Sequence, residues 1–126
     1  MVASIAVQAG LYGALTEALS CPVYEDVPVN ATMPYVVFDN NLVLDADYIS
    51  GAHERITFYL SVYSSYPGSL EAQTILGLIK QTLHQKRLAL SAGVMEAMRV
   101  RRLTVSPDIE DETYIGSCTI EVMVQP

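Results

Sequence analysis

The sequence predicts an α+β fold, with two helices packed on one face of a mostly antiparallel β-sheet. Three observations predict it. Apolar residues recur at helical spacing in two stretches, over 4–19 and 70–86. Elsewhere β-branched and aromatic residues gather in short runs, the clearest of which alternates between residues 54 and 63. The resulting order is helix, strand, strand, helix, strand, strand. A helix stripe and a sheet face bury each other, so this order favours a two-layer sandwich.

The first helix is expected over 4–19. Ile5, Ala9, Tyr12, Leu15 and Leu19 fall three or four residues apart and so share a face. Ser4 is placed to cap it, and Cys21-Pro22 ends it, because proline disfavours helical geometry in the residue before it. Gly10 and Gly13 weaken the helix by roughly 1 kcal/mol each against alanine. Residues 22–34 form a connector punctuated by Pro22, Pro28 and Pro34, with room for a short strand at Val23-Tyr24. Tyr35-Val36-Val37-Phe38 then reads as a strand.

Residues 39–53 mix Asp39, Asp45 and Asp47 with Leu42, Val43, Leu44, Tyr48 and Ile49. The stretch is too apolar for a solvated loop and too charged for a core. That composition suits a long hairpin tip, or an arm that orders against a neighbouring molecule.

From 54 to 63, Ile56, Phe58, Leu60 and Val62 alternate with Thr57, Tyr59, Ser61 and Tyr63. The aliphatic set should meet the core, and the tyrosine and hydroxyl set a partner or a half-wet surface. After a turn at Ser64–Gly68, Ser69 caps a helix over 70–86. Its stripe is Ala72, Ile75, Leu76, Ile79 and Leu83, with Glu71 in the first turn and His84, Lys86 and Arg87 near the end, as the helix dipole favours. Strands follow at 94–105 and 113–124. In the second, Tyr114, Cys118, Ile120, Val122 and Val124 share a face, with Gly116 fitting between them. The acidic loop Ser106–Glu112 separates the two.

Bulk properties bound the function. The 126 residues, 51% hydrophobic and 17% charged, suit one domain over 1–126 with its own core, needing neither disulfide nor metal. No apolar run approaches the ~20 residues that span a bilayer. The N-terminus has no basic leader, so the chain is expected to be cytoplasmic when made. A net charge of -7 argues against grasping phosphate and against sequence-specific DNA binding.

Chemistry finds little support. Phosphate-loop and dinucleotide fingerprints are absent. Cys21 and Cys118 are expected to be thiols rather than a bridge. With His53 and His84 they share no metal-ligand spacing, and His84 is expected at the surface. No catalytic residue, cofactor or metal is expected.

What remains are candidate contacts. Asp45, Asp47, Tyr48, Arg55, Tyr59, Tyr63, Arg99 and Arg101 are candidates for a subunit interface. Alternation places Arg99 and Arg101 on one strand face and Arg102 on the other; the alternative to an interface is ordinary surface ion pairing. Asp108, Glu110, Asp111 and Glu112 are candidates for a pore-facing or docking loop, the alternative being a solvated loop.

Two stretches in order carry a family resemblance. The first is Val23-Tyr24-Glu25-Asp26-Val27-Pro28, followed by Met33-Pro34-Tyr35-Val36-Val37-Phe38. The second is Arg55–Ser64, then Gly68, Glu71 and Ala72 opening a helix. This set resembles the small tail-completion, or tail-terminator, proteins of long-tailed phages and gene transfer agents. Tyr63 stands where tryptophan is common in that family. The resemblance implies an α+β subunit, without catalytic residues, that closes as a homo-oligomeric ring of six. Such a ring caps the tail tube, ends its elongation and meets the head-side connector or stopper. Its partners would be the tail tube protein and that connector. DNA would pass through the lumen without specific binding, and no membrane would be involved. The place would be the virion tail or neck, after synthesis in the bacterial cytoplasm. The rival readings are another neck or tail part, such as a head-completion adaptor or tube protein, and a small cytoplasmic ligand-binding or hydrolytic domain.

Overall fold

The computed structural model describes residues 3–47 and 51–126. Helix α1 spans Ala3–Ala18 and α2 spans Leu70–Leu83; strands β1 Val23–Tyr24, β2 Tyr35–Asp45, β3 Glu54–Ser64, β4 Val94–Asp108 and β5 Thr113–Gln125 complete the chain. The strands form one sheet in the order β1-β2-β3-β5-β4. Only the short β1 is parallel to its neighbour; the other pairings are antiparallel. The fold is the expected α+β arrangement.

The alternating strand settles the phase of the sheet. Ile56, Phe58, Leu60 and Val62 are all but fully buried, as are Ile120 and Val122 on β5. Their register partners lie on the same face: Val62 opposite Gly116, Leu60 opposite Cys118, Phe58 opposite Ile120. On α2 the stripe of Ala72, Ile75, Leu76, Ile79 and Leu83 is buried, as its spacing requires. Gly116 lets α2 approach closely: a Cβ there would sit 3.0 Å from the Leu76 Cδ1 atom. Gly93 opens β4 with φ +80°, and a Cβ would come within 2.7 Å of the Gln125 carbonyl oxygen.

Expectations for four elements need correction. On α1 the buried row is Ala3, Val7, Leu11 and Leu15, followed by Leu19, whereas Ile5 is 58% and Tyr12 42% exposed. The two rows share Leu15 and Leu19, so periodicity alone left two phases open. Val7 and Leu11, which the expected row leaves out, decide between them, because both are fully buried against the sheet side. Ala3 is already helical, so Ser4 lies inside the first turn.

Ser69 makes no side-chain cap. Its backbone is already helical, and its Oγ accepts from Gln73 Nε2 at 2.8 Å. α2 ends at Leu83, so Lys86 and Arg87 lie beyond it.

β2 continues well past Phe38. Its register with β3 shifts between Phe38 and Asn40 and then holds to Asp45 opposite Glu54. The bulge interrupts the period of two, and the polar residues beside it look like a loop. β4 likewise runs past residue 105, with Pro107 opposite Tyr114. Proline is tolerated there because β4 is an edge strand.

Candidate assembly surface

Both helices lie on one side of the sheet, which leaves the other face without a covering element. Register places cross-strand rows on that open face. One runs Tyr35, Tyr63, Ile115, Ser106; others run Asn40, Tyr59, Thr119, Arg102 and Leu42, Thr57, Glu121, Arg99. At its β1 corner three tyrosines meet. The Tyr24 and Tyr35 rings lie 5.7 Å apart edge to face, and Tyr35 and Tyr63 lie 5.4 Å apart. All three are half-buried, which leaves amphipathic contact area with hydroxyls available. The Tyr63 hydroxyl pKa is raised above its usual value, chiefly by burial and then by the negative charge of Asp39. Asp39 itself accepts a hydrogen bond from Ser61 Oγ at the bulge.

The distal part of β2 forms an open edge. β1 covers only Val36 and Val37, and beyond them Leu42 is 45%, Val43 37% and Leu44 47% exposed. At the opposite edge β4 carries exposed Arg99, Arg101 and Arg102. Its register shifts between Val100 and Arg102, so Arg99 and Arg102 oppose Glu121 and Thr119 on the open face, and Arg101 is the bulged residue. This corrects the expected pairing of Arg99 with Arg101, because one extra residue reverses the alternation that follows it.

The other sequence-derived candidates are scattered along the same rim. Asp45 and Asp47 are exposed where the β2-β3 hairpin narrows, and Asp47 Oδ1 accepts the His53 backbone N–H at 3.1 Å. Tyr48 lies outside the described residues. Arg55 and Tyr59 share the open face. Asp108 Oδ1 accepts from the Glu110 backbone N–H at 3.2 Å and so shapes the acidic tip, where Glu110, Asp111 and Glu112 are exposed. Among the described residues the one ion pair joins His53 and Glu96, at 3.2 Å. Arg55, Arg99, Arg101 and Arg102 make no ion pair among the described residues.

Groups able to do chemistry are placed for structure. Burial pushes the Cys118 thiol up to about 12 and also raises Cys21, against the direction a nucleophile needs. Neither cysteine is bridged. The His84 Nδ1 accepts the Val100 backbone N–H at 3.0 Å, tying the end of α2 to the β4 bulge, so His84 is not a free surface residue. His53 is buried, with Nδ1 3.1 Å from the Gly51 carbonyl oxygen and Nε2 facing Glu96. A cleft of about 330 Å³ lies between the end of α1 and the start of α2, lined by Leu19, Tyr66, Leu70, Glu71 and Leu78 among others. Its carboxylate is engaged: Ser64 Oγ donates to Glu71 Oε1 at 2.7 Å and accepts from the Tyr66 backbone N–H at 3.2 Å. Sequence reasoning missed both tethers. The Ser64…Glu71 spacing across a glycine turn was their one visible signal.

A sandwich that shields one sheet face and leaves the other face, a charged edge and an apolar edge to its surroundings defines a subunit built for contact with other molecules. The chain belongs to the family of tail completion protein gp17, which it matches over residues 5–125. It is a structural component of phage-type tail assembly, in a family whose role is structural rather than enzymatic. The fold is shared with a chain in the structure titled "Virion of native gene transfer agent (GTA) particle". The TM-score is 0.87 at 21% identity, covering 99% of this chain and 98% of that one. No curated protein sequence matches it. Among the described residues no helix is long and apolar enough to cross a membrane.

Proposed function

We propose that this chain, acting as one domain, closes with copies of itself into a ring of six on the head-proximal end of the tail tube. There it ends elongation and forms the joint to the head-side connector. Membership of the tail completion family supports the setting. The observation that carries the ring is the exposed apolar stretch Leu42, Val43 and Leu44 on a strand edge, beside carboxylates that a core would exclude. Such a stretch gains by burial on assembly, yet its charges keep free subunits soluble.

Ring closure needs two different surfaces on each subunit. The 39–53 segment and the tyrosine face supply one, and the arginines of β4 the other. Six copies at -7 each carry -42, a balance that keeps DNA phosphates from adhering as the genome passes through the lumen. The acidic tip at Asp108–Glu112 is a docking or pore loop in this arrangement.

Particles assembled without the protein test the reading. Tails of uncontrolled length that fail to join heads are expected. Tails that never form would instead make the chain a tube protein, and normal tails lacking a head joint would make it an adaptor.

A further inference from the structure

Within the proposed ring, and resting on it, we infer that the joint between neighbouring copies is an antiparallel pairing of two sheet edges. The distal edge of β2 on one copy hydrogen-bonds to β4 of the next. The argument begins with strand direction. β2, β3, β5 and β4 are antiparallel in succession, so β4 runs opposite to β2. Rotation about an axis roughly along the strands preserves direction, so β4 of one copy meets β2 of the next antiparallel, and the ladder continues across the joint.

Charge selects this pairing over the alternatives. Residues 39–47 carry Asp39, Asp45 and Asp47 and no cation; residues 99–102 carry Arg99, Arg101 and Arg102 and no carboxylate. The three arginines have no ion-pair partner among the described residues. Two β4 edges would set guanidinium against guanidinium, and two β2 edges carboxylate against carboxylate. Only the unlike pairing is complementary, and an unlike pairing is head-to-tail, the kind that closes rings. Edge strands usually resist pairing through charge, proline or bulges. β4 has all three, with shifts at Glu96 and Arg101 and with Pro107, whereas β2 past Asp39 has no proline and no lysine. β4 is thus closed to unspecific partners and open to an acidic strand.

The test uses the full chain in assembling particles. Arg99→Glu with Arg102→Glu, and separately Asp45→Arg with Asp47→Arg, should each lower ring occupancy at tail ends by about tenfold or more. All four changes in one chain should restore it, since every joint is then complementary again. Circular dichroism confirms that each variant folds. Because Asp47 also holds the His53 backbone, a second measurement stands apart from charge: Leu42→Cys with Thr104→Cys and a short bis-maleimide linker. In a Cys21→Ser background, a ladder of linked copies, absent when only one of the two new cysteines is present, is expected. Intact rings with neither charge sensitivity nor ladder would overturn edge pairing and leave the ring standing. No ring on unaltered tails would overturn both.

Discussion

Cys118 and Gly116 show how tightly the middle of the sheet constrains single residues. Cys118 is buried on the inner face, and desolvation alone lifts its thiol from the ordinary 9.0 to about 12. The folded chain therefore holds this proton at pH values where the unfolded chain has lost it. The stabilisation is fully present below about 9 and falls as pH rises through that window. Thiol reagents at pH 8 should modify Cys118 only as fast as the chain unfolds, which a time course in increasing denaturant reads directly. Rapid labelling of Cys118 itself, as distinct from half-exposed Cys21, would show that α2 does not seal the sheet. At Gly116 the space is equally decided. An alanine Cβ would press on Leu76 at 3.0 and 3.3 Å and on Val62 at 3.4 Å. Gly116→Ala should cost about 1–3 kcal/mol in equilibrium unfolding.

For the elements, the sharpest prediction concerns the phase of α1. Leu11→Ala should cost about 2–5 kcal/mol. Tyr12→Ser, on the half-exposed side, should change stability by less than about 0.5 kcal/mol. Chemical denaturation of both variants settles which row is buried; the reverse order of effects would contradict the packing. The same helix shows what the sequence made legible. β3 alternates without interruption and α2 has one dominant stripe, so both could be read with their faces. α1 carries two overlapping stripes, and only contact with the sheet chooses between them. β2 and β4 contain bulges, at 38–40, 95–97 and 100–102. Each breaks a period that sequence reading must assume is constant. For that reason the end of β2 resembled a loop, and Arg99 was matched with Arg101 instead of Arg102. The tyrosines of the open face were legible because they alternate with the core residues of β3. The tethers Ser64 to Glu71 and His84 to Val100 join elements that have no periodic relation, so periodicity does not announce them.

For the whole molecule, the dominant fact is asymmetry of cover. One sheet face carries both helices, and the other carries tyrosines, hydroxyls and arginines that make no ion pair among the described residues, between an acidic apolar edge and a basic one. A lone subunit leaves this surface wet, and in the proposed ring neighbouring copies bury its two edges. The central claim is therefore a count at a place. Cryo-electron microscopy of tail ends, with this chain located by its own density, measures both. The account predicts one closed ring of six copies, found only where the tail meets the head. Copies repeated along the tube, or bound singly without closing, would contradict it.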